Sequence, residues 1–134
     1  MSYTINLSSL TSNNSGNVAN DRRFDPRIDV TEAIRVIEVE GTVSLGLVLD
    51  LSEDGMCVRT FDEIPQGSEH AFRLEVTPYG ENLQFIDLKA LCVWCLPLRQ
   101  EGFRIGFQFV HRSAKARLRL SALLKRLYLD QNIQ

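Results

Sequence analysis

Thr42-Val43-Ser44-Leu45-Gly46-Leu47-Val48-Leu49-Asp50-Leu51 sets apolar Val43, Leu45, Leu47 and Leu49 at every second place against Thr42, Ser44, Gly46, Val48 and Asp50. A period of two belongs to an extended chain with one buried side, so this segment is expected to be a strand whose Val43/Leu45/Leu47/Leu49 face meets a core. Glu53-Asp54-Gly55 then turns the chain into a second extended run, Met56 to Thr60.

Working outward, the same texture recurs between turn signals. Thr31 to Val39 comes before and ends at Glu40-Gly41. Pro65-Gln66-Gly67 leads into Glu69 to Val76, where Phe72, Leu74 and Val76 alternate with Ala71, Arg73 and Glu75. Pro78-Tyr79-Gly80 leads into a long run from Leu83 to Leu96, and Gly102 to Val110 places Phe103, Ile105, Phe107 and Phe109 on one side. Short strands at this spacing predict a mainly β domain built as a barrel or sandwich. After His111 the period lengthens. Ser113 can cap a helix, and Leu120, Leu123, Leu124, Leu127 and Tyr128 recur at helical spacing. A helix over 113–130 is therefore expected, closing one end of the barrel or packing on its outside.

The 134 residues, 44% apolar and 24% charged, suit one domain with an ordinary core. Residues 1–20 are rich in Ser and Asn and too poor in apolar groups to offset the cost of ordering, so a flexible N-terminal tail is expected there. With no signal-like segment and no span of membrane length, the expectation is a soluble, cytoplasmic protein without membrane insertion. A net charge of −2 gives the molecule no long-range attraction for nucleic acid, so any anion site must be local.

Such a site is foreshadowed in 21–29, Asp-Arg-Arg-Phe-Asp-Pro-Arg-Ile-Asp, a linker that Pro26 biases toward extension. Arg22, Arg23 and Arg27 offer planar forks that grip phosphate or the O6/N7 edge of guanine. On the strand that follows, Asp50 and Ser52 are two apart and so are expected to share a face, where a carboxylate can accept from guanine N1–H and N2–H. Gly55 can supply a turn conformation or let a ligand come close to the backbone. Each group alone reads more simply as a solvated linker and an ordinary turn; together, in this order, they point to a guanine-nucleotide site.

Arg23-Phe24-Asp25-Pro26-Arg27 followed by Asp50-Leu51-Ser52-Glu53-Asp54-Gly55 resembles the RxxxR and (D/N)xSxxG pair of bacterial PilZ domains, and Phe103 to Val110 is similar to that family's last barrel strand. The resemblance implies a PilZ domain over 21–134: arginine linker 21–29, a six-stranded antiparallel β-barrel over 30–111, and a C-terminal α-helix over 113–130. It implies a non-enzymatic receptor for cyclic di-GMP, with no further cofactor, that changes conformation on binding and signals to a separate effector protein. Ligand-binding roles fall to Arg22, Arg23, Arg27, Asp50, Ser52 and Gly55. An arginine just before RxxxR goes in this family with two stacked ligand molecules, and Arg22 stands there. A PilZ-like interaction domain that binds no nucleotide is the alternative. The effector, the pathway and the choice between monomer and homodimer stay open.

Other candidate chemistry is sparse. Cys92-Val93-Trp94-Cys95 has the spacing of a metal or redox pair, but zinc needs about four ligands and residues three apart in a strand face opposite sides, so packed thiols and no metal site are expected. His70 and His111 have no evident nucleophile in sequence, so no catalytic residue is assigned.

Overall fold

Backbone N–H and C=O groups of a strand need partners on both edges, and closure of a sheet on itself supplies them all. The computed structural model describes residues 27–40, 44–77 and 82–132; the expected tail over 1–20, the arginine segment up to Pro26 and the Pro78-Tyr79-Gly80 turn lie outside the described residues. The elements are β1 Ile28–Asp29, β2 Arg35–Glu38, β3 Ser44–Leu51, β4 Gly55–Thr60, β5 Glu69–Val76, β6 Gln84–Pro97, β7 Phe103–His111 and α1 Ala114–Gln131. Around the ring β3 is followed by β2, β5, β6, β7 and β4, and β4 pairs again with β3. All pairings are antiparallel, so the chain forms the expected six-stranded barrel with a C-terminal helix.

The short β1 is an addition. Ile28 pairs with Leu51 and Asp29 with Asp50, on the same edge of β3 that β2 uses further back. Part of the expected linker is thus sheet, and Arg27 enters from a fixed direction.

The alternation expected for β3 does not hold along its length. Leu47 is 46% exposed, whereas Val48 and Leu51 are buried. The cause is two bulges. Val36 faces Gly46 and Ile37 faces Ser44, which leaves Leu45 as an extra residue; Val48 faces Val58 and Asp50 faces Cys57, which leaves Leu49 as another. Each extra residue reverses the sides that follow. After Leu49, Asp50 turns outward and Leu51 turns in to meet Met56. Strict alternation would have sent the carboxylate into the core.

Inside the barrel, Val36, Leu51, Met56, Val58, Phe72, Leu74 and Ile105 are buried, and Phe72 meets Phe107 edge-on at 5.0 Å. Helix α1 begins at Ser113, whose side chain accepts the Ala116 N–H. Its Ala116, Leu120, Leu123, Leu124 and Leu127 join the same core. Polar ties fix the helix over the end where β3 finishes and β4 begins: Arg119 donates to the Phe85 carbonyl, Arg126 forks onto Glu32 at 2.8 and 2.9 Å, and the Gln131 amide donates to the Asp29 carbonyl. Among the described residues no helix is long and apolar enough to cross a membrane.

If α1 is a stopper of the barrel core, Leu120→Ala should cost about 2–5 kcal/mol in urea unfolding. A loss below about 0.5 kcal/mol, the range of surface substitutions, would place the helix outside the folded unit.

Candidate functional site

The two halves of the motif meet through β1. Pairing of Ile28 and Asp29 with the end of β3 delivers Arg27 beside Asp50, and Arg27 Nη1 donates to Asp50 Oδ1 at 2.8 Å across 23 positions of sequence. The arginine side chain is half exposed while that of Asp50 is 13% exposed, so the carboxylate is fixed and the guanidinium remains accessible. Arg22 and Arg23 lie outside the described residues.

Ser52 and Gly55 are placed differently from the sequence expectation. Ser52 follows the last residue of β3 and is buried, with its hydroxyl turned into its own turn: Oγ accepts from the N–H groups of Asp54 and Gly55, each at 3.2 Å. The Ser52 N–H donates to the Gly55 carbonyl at 2.9 Å. The side chain thus replaces backbone partners that a tight turn cannot supply. Gly55 opens β4 and lacks the positive φ that Gly67 and Gly102 have. A Cβ there would lie 2.2 Å from the Phe107 carbonyl oxygen, so the glycine admits a neighbouring strand. Outside the turn, Arg112 donates to the Glu53 carbonyl and lies 3.9 Å from Asp54, holding the turn against the start of α1.

From Asp50 an outward row runs across the barrel through Cys57, Gly106 and Trp94, each facing the next on the adjoining strand. The Trp94 ring covers Gly106, where any added Cβ would meet it at 2.3–2.6 Å. Arg104 lies beside this row and donates through Nε to Cys57 Sγ at 3.2 Å. Burial pushes the Cys57 thiol above its ordinary range, against the opposing hydrogen bond from Arg104. Arg27, Asp50, Cys57, Arg104 and Trp94 therefore make a shelf on the outer side of the barrel, with two exposed guanidinium groups, a fixed carboxylate and a thiol that are buried, and a half-buried aromatic plate. Two recesses of about 260 and 180 Å³ lie against α1 and include neither Arg27 nor Asp50. Arg104 and Trp94 escaped the sequence reading because they come from strands far from the motif, and only the register between β4, β6 and β7 brings them to it.

At the other end of the barrel, where β5 begins, Ser68, His70 and Glu38 lie together. His70 has a neighbour that the sequence reading overlooked: Ser68 Oγ lies 2.8 Å from Nε2, and Glu38 Oε2 lies 3.2 Å from Nδ1. The order serine, histidine, carboxylate is that of a hydrolytic relay, yet the hydroxyl donates to the Pro65 carbonyl at 2.6 Å. The nearby N–H groups of Gly67 and Ser68 are bonded to the carbonyls of Cys92 and Pro65, so neither is available to stabilise an oxyanion. With its ring stacked on Phe72 at 5.4 Å, His70 ties β2 to β5. The expectation that Cys92 and Cys95 face opposite sides needs correction. Val93 is an extra residue opposite β7, so both thiols lie on the core side, Cys92 buried and Cys95 partly so. Among the described residues no three His, Cys, Asp or Glu side chains group as a metal site.

A family model described as the PilZ domain matches residues 21–126. No curated protein matches. Among solved structures, the PilZ domain of YcgR from Escherichia coli with c-di-GMP aligns with a TM-score of 0.63 at 16% identity, over 83% of this chain and 95% of that one. The inhibitor of motility MotI/DgrA from Bacillus subtilis aligns at 0.66 and 17% identity over 84% of this chain, and the K. pneumonia MrkH–c-di-GMP complex at 0.61 and 21% over 83%. The chain spans about half the length of each of those last two, 54%. At these identities the likeness is one of fold.

Two measurements check the local assignments. Without ligand, Gly55→Ala should destabilise by about 3 kcal/mol through the clash with Phe107, and Ser52→Ala by about 1–3 kcal/mol through two stranded N–H groups. Unchanged midpoints would remove their structural roles. Burial pushes the Cys92 thiol to about 11, and Cys57 is shifted the same way. Both should stay protonated at pH 8 and resist iodoacetamide until the protein unfolds; prompt labelling in native buffer, read by mass spectrometry, would contradict this.

Proposed function

The chain belongs to the PilZ domain family, and from that premise we propose that it is a receptor for cyclic di-GMP that passes its signal to a separate effector protein rather than acting as an enzyme. The observation that carries the reading is the 2.8 Å contact between Arg27 and Asp50, which joins two sequence elements that resemble a ligand motif only as a pair. The structural neighbours solved with c-di-GMP, the YcgR PilZ domain and MrkH, support it by fold.

In this reading Asp50 is the fixed acceptor. One carboxylate oxygen is engaged by Arg27 and the other can take the N1–H and N2–H of guanine, whose planar edge suits a rigid carboxylate. Arg27, half exposed, supplies a fork for phosphate or the O6/N7 edge. Arg23 completes the clasp, and Arg22 stands where two stacked ligands per chain would be received. Ser52 and Gly55 act at one remove, by setting the turn that follows Asp50 and joins β3 to β4. Ligand closing over this shelf would reorder the segment before β1 and present a new surface to the effector.

A second reading keeps the fold without the nucleotide, as a protein-interaction domain. It is favoured by one fact: the turn and the β4–β7 approach account for Ser52 and Gly55 without any ligand.

Calorimetric titration with cyclic di-GMP separates the two. The first reading expects saturable binding in the sub-micromolar to micromolar range, roughly 8–10 kcal/mol, abolished in Arg23→Ala, Arg27→Ala and Asp50→Ala. Arg22→Ala should halve a two-ligand stoichiometry. No heat at high micromolar ligand would leave the second reading standing.

A further inference from the structure

The face beside the motif holds a pairing that the barrel alone does not explain. Arg59 on β4 stands directly opposite Arg104 on β7, both exposed and on the outer side. Like charges placed opposite each other across a ladder destabilise a sheet. The outer face of this barrel elsewhere resolves its arginines with carboxylates: Arg35 with Glu75 at 3.2 Å, and Arg73 with Asp87 at 2.7 Å. Among the described residues no carboxylate lies at ion-pair distance from Arg59 or Arg104. Arg104 donates its Nε–H to a neutral thiol, which orients the guanidinium without cancelling its charge, and the carboxylates of Asp50 and Asp29 act on it only from beyond ion-pair distance.

The two arginines sit next to the proposed site. Arg104 is bound to Cys57, and Cys57 faces Asp50. Leu47 flanks Arg59 and Leu96 flanks Arg104 in the same row, 46% and 56% exposed. A cationic pair between two exposed apolar side chains, one strand pairing away from a carboxylate that reads guanine, suits an anion carrying flat apolar rings. We infer that Arg59 and Arg104 are a second phosphate-binding element of this shelf, receiving a phosphodiester of the cyclic dinucleotide that Asp50 and Arg27 hold by its base, with Cys57 positioning Arg104. This deepens the cyclic di-GMP reading and rests on it.

The test is calorimetry with cyclic di-GMP on the unsubstituted chain, Arg59→Gln, Arg104→Gln, the double variant and Arg104→Lys, each at low and at moderate salt. Loss of a charge-assisted contact should weaken binding by about tenfold or more per arginine. The double variant should also lose part of the salt dependence, because fewer phosphate charges are neutralised. Arg104→Lys, which keeps the charge without the Nε–H held by Cys57, should fall between. In the absence of ligand the thermal midpoints of the glutamine variants should hold or rise as the repulsion is relieved. Binding by the double variant that matches the unsubstituted chain in affinity and salt slope overturns the inference and leaves the receptor reading intact. Failure of the unsubstituted chain to bind removes both.

Discussion

Closure of the barrel through β3 is the constraint to which the other features answer. This strand serves β4 along one edge and both β2 and β1 along the other. Its inner side must be apolar where Val48 and Leu51 meet Val58 and Met56, since an unpaired carboxylate in that interior would cost far more than a solvated one. Its outer side must present Asp50. A strand with fixed alternation cannot do both with the sequence Val48-Leu49-Asp50-Leu51, and the bulge at Leu49 reconciles them. The extra carbonyl is not wasted, because Leu49 accepts the Val30 N–H at 2.8 Å and so anchors the exit of β1.

Helix α1 supports the site from behind at two separate places. Near its start, Arg112 holds the Glu53 carbonyl of the turn; near its end, Arg126 and Gln131 hold Glu32 and Asp29, just past Arg27. The Arg126 fork is geometrically the better of these, two parallel contacts to one carboxylate with both side chains mostly covered. Because the leucines of the opposite side belong to the barrel core, the two halves of the shelf are referred to one rigid body. The fixed carboxylate of Asp50 and the half-exposed guanidinium of Arg27 are the product of that bracing.

Much of this was legible in the sequence. Alternation in Glu69 to Val76 and in Phe103 to Val110 located β5 and β7 with the correct inner faces, and the Ser113 signal located the start of α1. The pairing of Arg27 with Asp50 was legible only as a resemblance, since nothing local in either segment requires the other. Bulges were not legible at all. Leu45, Leu49 and Val93 are ordinary strand formers, and their extra place arises from the register of partners distant in sequence. The same blindness hid Arg104 and assigned Ser52 to the face of Asp50, when the strand ends at Leu51 between them and Ser52 turns into its own turn.

The Leu49 bulge also bears on how this segment can vary in length. A period-two strand absorbs many substitutions, but here the count of residues between Val48 and Leu51 decides which of two neighbours is wet. Straightening the bulge with every residue kept would restore plain alternation, set Leu49 opposite Cys57, and swing Asp50 into the space that Leu51 fills opposite Met56. From Val48 to Leu51 the number of residues held in register with β4 is therefore what keeps the carboxylate on the outer side and the leucine within. The register of this strand encodes the site as firmly as the identity of its aspartate.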